Sequence, residues 1–82
     1  MKTIWKWELL PETTIDMPTG AKVLTVQEQG GKPQLWALVD PEATTEKRTF
    51  QAYGTGHDCP DDPGRYIGTF QCDKLVFHIF ES

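Results

Sequence analysis

The most unusual stretch of the chain is Tyr53-Gly54-Thr55-Gly56-His57-Asp58-Cys59-Pro60-Asp61-Asp62. A Gly-x-Gly step lets backbone N–H groups come close to an anion, and the Thr55 hydroxyl and the His57 ring add donors. The stretch lacks the Lys of a P-loop and the third Gly of a dinucleotide fingerprint, and the breakers after it leave no helix to offer a positive N-terminus. The competing reading is a tight turn that needs positive φ, capped by His57. Arg48, Tyr53, Arg65 and Tyr66 flank the loop in sequence and would form its rim, with arginines to neutralise an anion and tyrosines to stack a base. Arg48, Tyr53, Gly54, Thr55, Gly56, His57, Arg65 and Tyr66 are therefore the candidate set for binding a ligand or a partner.

Three other chemistries have their raw materials here but not their spacing. His57, Cys59, Cys72 and His78 have the composition of a zinc site, yet tetrahedral zinc usually needs ligand pairs close in sequence, Cys with Cys and His with His. The pairs here are His-x-Cys and Cys-x5-His, and His78 alternates with apolar neighbours, as a buried, hydrogen-bonded histidine would. Asp58, Asp61 and Asp62 suggest calcium, but Pro60 and Pro63 break the alternating ligand pattern of a calcium loop, so a solvated turn is expected instead. Cys59 stands near His57, but side chains so spaced on a loop have no enforced nucleophile geometry. A chain of 82 residues offers little to exclude water or orient a third group. No enzyme activity, metal or cofactor is expected.

The breakers define the elements that must position these residues. Pro11, Pro18-Thr19-Gly20, Gly30-Gly31-Lys32-Pro33, Asp40-Pro41, Gly54 to Gly56 and Pro60-Asp61-Asp62-Pro63-Gly64 leave only short runs between them, which is a β signature. In the first run Thr3, Trp5, Trp7 and Leu9 share one face, expected to be buried, and Lys2, Lys6 and Glu8 share the other with Ile4. Residues 23–29 and 35–39 read as a hairpin over a Gly-built turn, its second arm apolar on both faces and so central. Residues 48–53 form a shorter run. Residues 66–71 and 74–81 make a second hairpin over Cys72-Asp73, and its last arm is expected to be buried on both sides. Asp40-Pro41-Glu42 resembles a capped helix start, but Thr44 and Thr45 limit 41–47 to one helical turn at most. The expectation is a single all-β domain over residues 1–82, an antiparallel meander of about six strands forming a small barrel or compact sandwich.

Composition narrows the function classes. Lys and Arg number 8 against 12 Asp and Glu, a net charge of −4, which argues against direct nucleic-acid binding driven by phosphate neutralisation. The length allows one domain and excludes barrels and doubly wound sheets of well over about 100 residues. No run approaches the roughly 18 apolar residues of a membrane span. The N-terminal residues show no secretory signal, so two reduced thiols in a cytoplasm are expected, with a Cys59–Cys72 bridge left open. Trp5, Trp7 and Trp36 are a heavy aromatic load; core is their default, and an exposed one would mark a contact surface.

Several segments carry a resemblance. Met1-Lys2-Thr3-Ile4-Trp5-Lys6-Trp7-Glu8-Leu9, Met17-Pro18-Thr19-Gly20-Ala21, Leu35-Trp36-Ala37-Leu38-Val39-Asp40-Pro41, Tyr53-Gly54-Thr55-Gly56-His57, Tyr66-Ile67-Gly68-Thr69-Phe70 and Leu75-Val76-Phe77-His78 are similar, in order, to a family of short, uncharacterised phage- and prophage-encoded proteins. Its members usually carry Tyr where this chain has Trp7, and Cys59 and Cys72 lie outside the shared pattern. The resemblance implies a phage accessory protein acting in the cytoplasm of a bacterial host, with no activity attached.

Three functions follow as expectations. The first is a non-enzymatic inhibitor that binds a host bacterial defence or regulatory protein, in the manner of an anti-CRISPR; the acidic charge favours a basic partner surface. The second is an oligomeric sponge that sequesters a nucleotide immune signal through the Tyr53–His57 loop. The third is a minor virion or assembly component. A homodimer is expected if the Lys74–Glu81 strand lies at a sheet edge; the competing outcome is a barrel in which the first strand pairs with the last.

Overall fold

Seven strands run through residues 1–82 of the computed structural model: β1 Thr3–Glu8, β2 Glu12–Pro18, β3 Lys22–Gln29, β4 Lys32–Val39, β5 Thr45–Gly54, β6 Arg65–Cys72 and β7 Leu75–Glu81. Two hairpins set the frame. Gly30 and Gly31, with φ of +63° and +83°, join β3 to β4, and this pair of positive φ values matches the twist that a two-residue hairpin requires. Asp73, at φ 55°, and Lys74 join β6 to β7, one residue later than the sequence suggested.

The strands form two antiparallel sheets, ordered β1-β4-β3 and β2-β5-β7-β6. The class is all-β as expected, and the architecture is an open sandwich rather than a closed barrel. The strand count exceeds the expected six because Pro11 and Pro18 read as breakers on either side of β2. Pro18 instead ends β2, which pairs only with β5; at a sheet edge a missing ladder N–H costs little. The alternation along β2 buries Ile15 and Met17.

Strand β4 is central to its sheet, and Leu35, Ala37 and Val39 point inward, fully buried. They meet Ile15, Met17, Phe50, Phe70 and Ile79 from the other sheet in one core. Four expectations are corrected. β1 does not bury its tryptophan face as a whole: Leu9 is buried and Trp7 half-buried, but Trp5 is 41% exposed, because β1 is an edge strand. β7 is interior, flanked by β5 and β6, so a dimer through an open edge of β7 has no edge to use. β1 pairs with β4 and not with β7, so the barrel closure is also absent. As an interior strand β7 has its N–H and C=O groups paired along both edges. Of its side chains, however, only Ile79 is buried and the others are half-buried or exposed, short of the burial on both faces that its apolar alternation suggested.

The segment from Asp40 is a tight turn and no helix. Ala43 N–H donates to the Asp40 carbonyl (3.1 Å) and Glu42 N–H to the Asp40 carboxylate (3.1 Å), and β5 begins at Thr45. β3 and β6 run alongside each other without a ladder. A Cβ on Gly68 would lie 2.8 Å from Val26 Cγ2, so the seam between the sheets closes there only because residue 68 has no side chain. No helix is long and apolar enough to cross a membrane.

Candidate functional site

Apart from Tyr53, the residues singled out by sequence fall into two places, one around Arg48 in the first half of β5 and one at its Gly54 end. Arg48 and Gly54 are six residues apart on that strand, about 20 Å in an extended chain.

At the Gly54 end the chain makes a tight turn. His57 N–H donates to the Gly54 carbonyl (3.0 Å) and Thr55 N–H to the Val76 carbonyl (3.1 Å). Gly56 has φ +84°, the left-handed conformation that the third position of a type II turn demands. The His57 ring folds back so closely that a Cβ on Gly54 would sit 2.6 Å from Nδ1. The N–H groups of Thr55 and His57 are thus already committed within the protein, which removes two donors from any anion cradle.

In the first half of β5 Arg48 lies between the sheets. Its Nε and Nη2 donate to the two Glu81 carboxylate oxygens (2.6 and 2.8 Å), and Nη1 donates to the Ala21 carbonyl (2.6 Å). Both charged side chains are largely buried, 14% and 13% exposed. The hydrogen bonds to Glu81 raise the Arg48 pKa above its ordinary value; burial opposes them, and the charges of Glu81 and Glu46 reinforce them. Lys22, Arg65 and Tyr66 join Arg48 around a cleft of about 260 Å³. The structure therefore brings Arg48, Arg65 and Tyr66 together and leaves Gly54, Thr55, Gly56 and His57 elsewhere.

Tyr53 belongs to the outer face of the four-stranded sheet. Its ring meets Phe80 edge-on at 5.9 Å, and Phe80 meets Tyr66 at 5.5 Å. Beside this row, His78 uses both ring nitrogens, Nε2 with Thr55 Oγ1 (2.8 Å) and Nδ1 with Thr69 Oγ1 (3.0 Å), and Tyr66 OH meets Thr69 Oγ1 at 2.7 Å. His78 is half-buried on the outer face rather than sunk in the core. Cys59 is exposed and Cys72 half-buried, both as free thiols. No three His, Cys, Asp or Glu side chains converge as metal ligands would.

Sequence reasoning missed the outer face of the three-stranded sheet. Ile4 (56% exposed) and Leu24 (46% exposed) line a shallow groove there with Trp36, Thr25 and Gln27. One signal was visible: Ile4 is the apolar residue among Lys2, Lys6 and Glu8 on the outward side of β1. Leu24 carried no signal, because a register shift between Val23 and Thr25 turns it outward against simple alternation.

A family model described as a domain of unknown function, DUF7352, matches residues 1–82. The chain belongs to the DUF7352 family. The match spans both sheets, so the family's domain is the whole sandwich described above, including the Arg48 cleft and the Ile4–Leu24 groove. No solved structure matches the chain.

Proposed function

We propose that this protein is a non-catalytic binding protein that acts by occupying a partner protein, with the outer face of the three-stranded sheet as its contact surface. The observation that carries the proposal is the exposed apolar groove of Ile4, Leu24 and Trp36 on a sheet face that packs against nothing in the chain. Contiguous apolar patches on small soluble domains mark interaction surfaces, because covering them releases water at no polar cost. The phage-like sequence pattern supports a bacterial defence or regulatory protein as the partner, bound in the host cytoplasm. The test is capture from host lysates on the immobilised chain. A stoichiometric partner should be retained by the wild type and lost by the Ile4→Ser/Leu24→Ser variant. Absence of any such partner across several hosts, or retention by that variant, would sink the reading.

One observation favours a second reading, a small anionic ligand such as a nucleotide. Lys22, Arg48, Arg65 and Tyr66 line one cleft, with two cations and a stackable ring free of the Arg48–Glu81 pair. The ligand would sit there and not on the Gly54–His57 turn. Calorimetry with a cyclic-nucleotide panel decides it: heat that disappears in Arg65→Ala supports the cleft, and silence across the panel removes it.

A further inference from the structure

Two sheet edges stand open, β1 and β2, since β3 and β6 shield each other. An open edge presents unpaired N–H and C=O groups, a template for another strand. The two edges differ in charge. β2 carries Glu12 and Asp16 and no cation, and it ends at Pro18, so no register of two β2 strands gives an opposite-charge pair. β1 carries Lys6 and Glu8, with Lys2 just before it, and exposes Ile4 and Trp5 on its two faces.

We infer that β1 pairs antiparallel with β1 of a second copy, in the register that sets Trp5 opposite Trp5 across a two-fold axis. The register follows by elimination. Opposed residues of an antiparallel pair share one face, so even-numbered residues must oppose even and odd must oppose odd. Centring the axis on Ile4 would set Lys2 against Lys6 of the second copy, and centring it on Lys6 would set the two Lys6 side chains against each other. Like charges directly opposite are destabilising. Centring it on Thr3 or on Trp7 shortens the overlap to one end of β1. The axis at Trp5 opposes Lys2 to Glu8 twice, covers each Ile4 with the aliphatic stem of a Lys6, and brings the two exposed indoles together. Trp7, already edge-on to Trp5 at 6.1 Å, extends the cluster. The product is a six-stranded sheet in which both β1 edges have vanished.

The dimer contact shares Ile4 with the partner-binding groove. Leu24→Ser, which lies on β3 outside the β1 edge, separates the two and should leave the dimer untouched. Sedimentation equilibrium of the full chain tests it. The expected mass is twice 9.3 kDa at high concentration. Lys2→Glu turns two attractions into two repulsions and should weaken the dimer roughly tenfold. The double variant Lys2→Glu/Glu8→Lys should restore it. Trp5→Glu, which faces two carboxylates across the axis, should give a monomer. Circular dichroism checks that each variant folds, and if Trp5→Glu does not, the exposed Lys2 series still decides. A mass of 9.3 kDa at every concentration overturns the inference. So does a dimer indifferent to Lys2→Glu.

Discussion

The two outer faces of the sandwich are built on opposite plans. On the four-stranded sheet nearly every outward polar group finds a neighbour: Thr14 meets Thr49 (2.9 Å), Lys47 meets Asp16 (3.0 Å), Gln51 meets Glu12 (3.0 Å), and Tyr53 donates to Gln51. Tyr66, Thr69, His78 and Thr55 continue the pattern across the sheet. On the three-stranded sheet fewer polar groups are paired, Lys6 with Gln29 (2.7 Å), Gln27 with Thr25 (3.3 Å) and Lys32 with Glu8 (3.5 Å), and they surround an apolar centre of Ile4, Leu24 and Trp36. A face whose hydrogen bonds are closed on itself gains little from a partner, since any new bond must first break an old one. An apolar face gains with every Å² covered. That difference is the physical ground for the proposal that the second face makes the contact while the first serves stability.

The largest effect tests the seam from which both faces hang. Arg48 ties Glu81 in one sheet to the Ala21 carbonyl just before the other, so Arg48→Met strands a carboxylate in a largely buried site. We expect a loss of about 3 kcal/mol or more in denaturant unfolding, and recovery of most of it in Arg48→Met/Glu81→Leu. A fully wild-type-like Arg48→Met would show that the seam does not depend on the pair. The pH dependence has a definite sign. Because the Arg48 pKa is raised, its contribution is complete below the ordinary arginine value and is lost only as pH climbs past the raised one. The stability difference between wild type and Arg48→Met should therefore stay flat from about pH 6 to 10.

The next effect sits on the same seam. Gly68→Ala would place its Cβ 2.8 Å from Val26 Cγ2, and a buried, β-branched valine has little room to yield. A cost of about 1–3 kcal/mol is expected from such overpacking. Val26→Ala should be less damaging in the Gly68→Ala background than alone, a non-additivity that thermal melts of the four proteins would reveal. Simple additivity would mean that the two strands do not touch there.

How much of this was legible in the sequence depends on whether the signal was local. The Gly30-Gly31 hairpin, the central place of β4 and the all-β class were readable because turn chemistry and alternation are properties of neighbouring residues. β2 was not, because a proline looks the same whether it breaks a strand or ends an edge strand. The position of β7 was not, because alternation reports burial and says nothing about which strands lie on either side. The candidate set shows the same limit. Arg48, Arg65 and Tyr66 do meet, but Arg48 and Arg65 are seventeen positions apart and only the β5-β7-β6 order joins them. The partner that commits Arg48, Glu81, lies farther still along the chain. Leu24 faces outward through a register shift, which no periodicity predicts.

A smaller effect tests the closed face. Thr69→Val keeps the shape of the side chain and removes the hydroxyl that links Tyr66 to His78. We expect a loss of about 1 kcal/mol, the usual net worth of such a bond, read as a drop in the thermal midpoint. Partner capture should be unchanged. If Thr69→Val abolished capture while the fold persisted, the assignment of the two faces would be reversed.

The smallest effect on stability is the most informative about function. Leu24 is 46% exposed and sits at the register shift in β3, outside the core, so Leu24→Ser removes apolar surface that is already partly wet. Surface substitutions of this kind usually change stability by less than about 0.5 kcal/mol in either direction. Its unfolding curve should therefore overlay that of the wild type. Binding should behave differently, because a side chain at the centre of a contact patch is desolvated in full when the partner docks. A loss of about 1–2 kcal/mol at that one position corresponds to roughly five- to thirty-fold in affinity. Paired measurements on Leu24→Ser and Thr69→Val then form a double dissociation: one variant loses affinity at constant stability, and the other loses stability at constant affinity. Leu24→Ser binding like the wild type would remove the groove from the contact surface and leave the Arg48 cleft as the place to look.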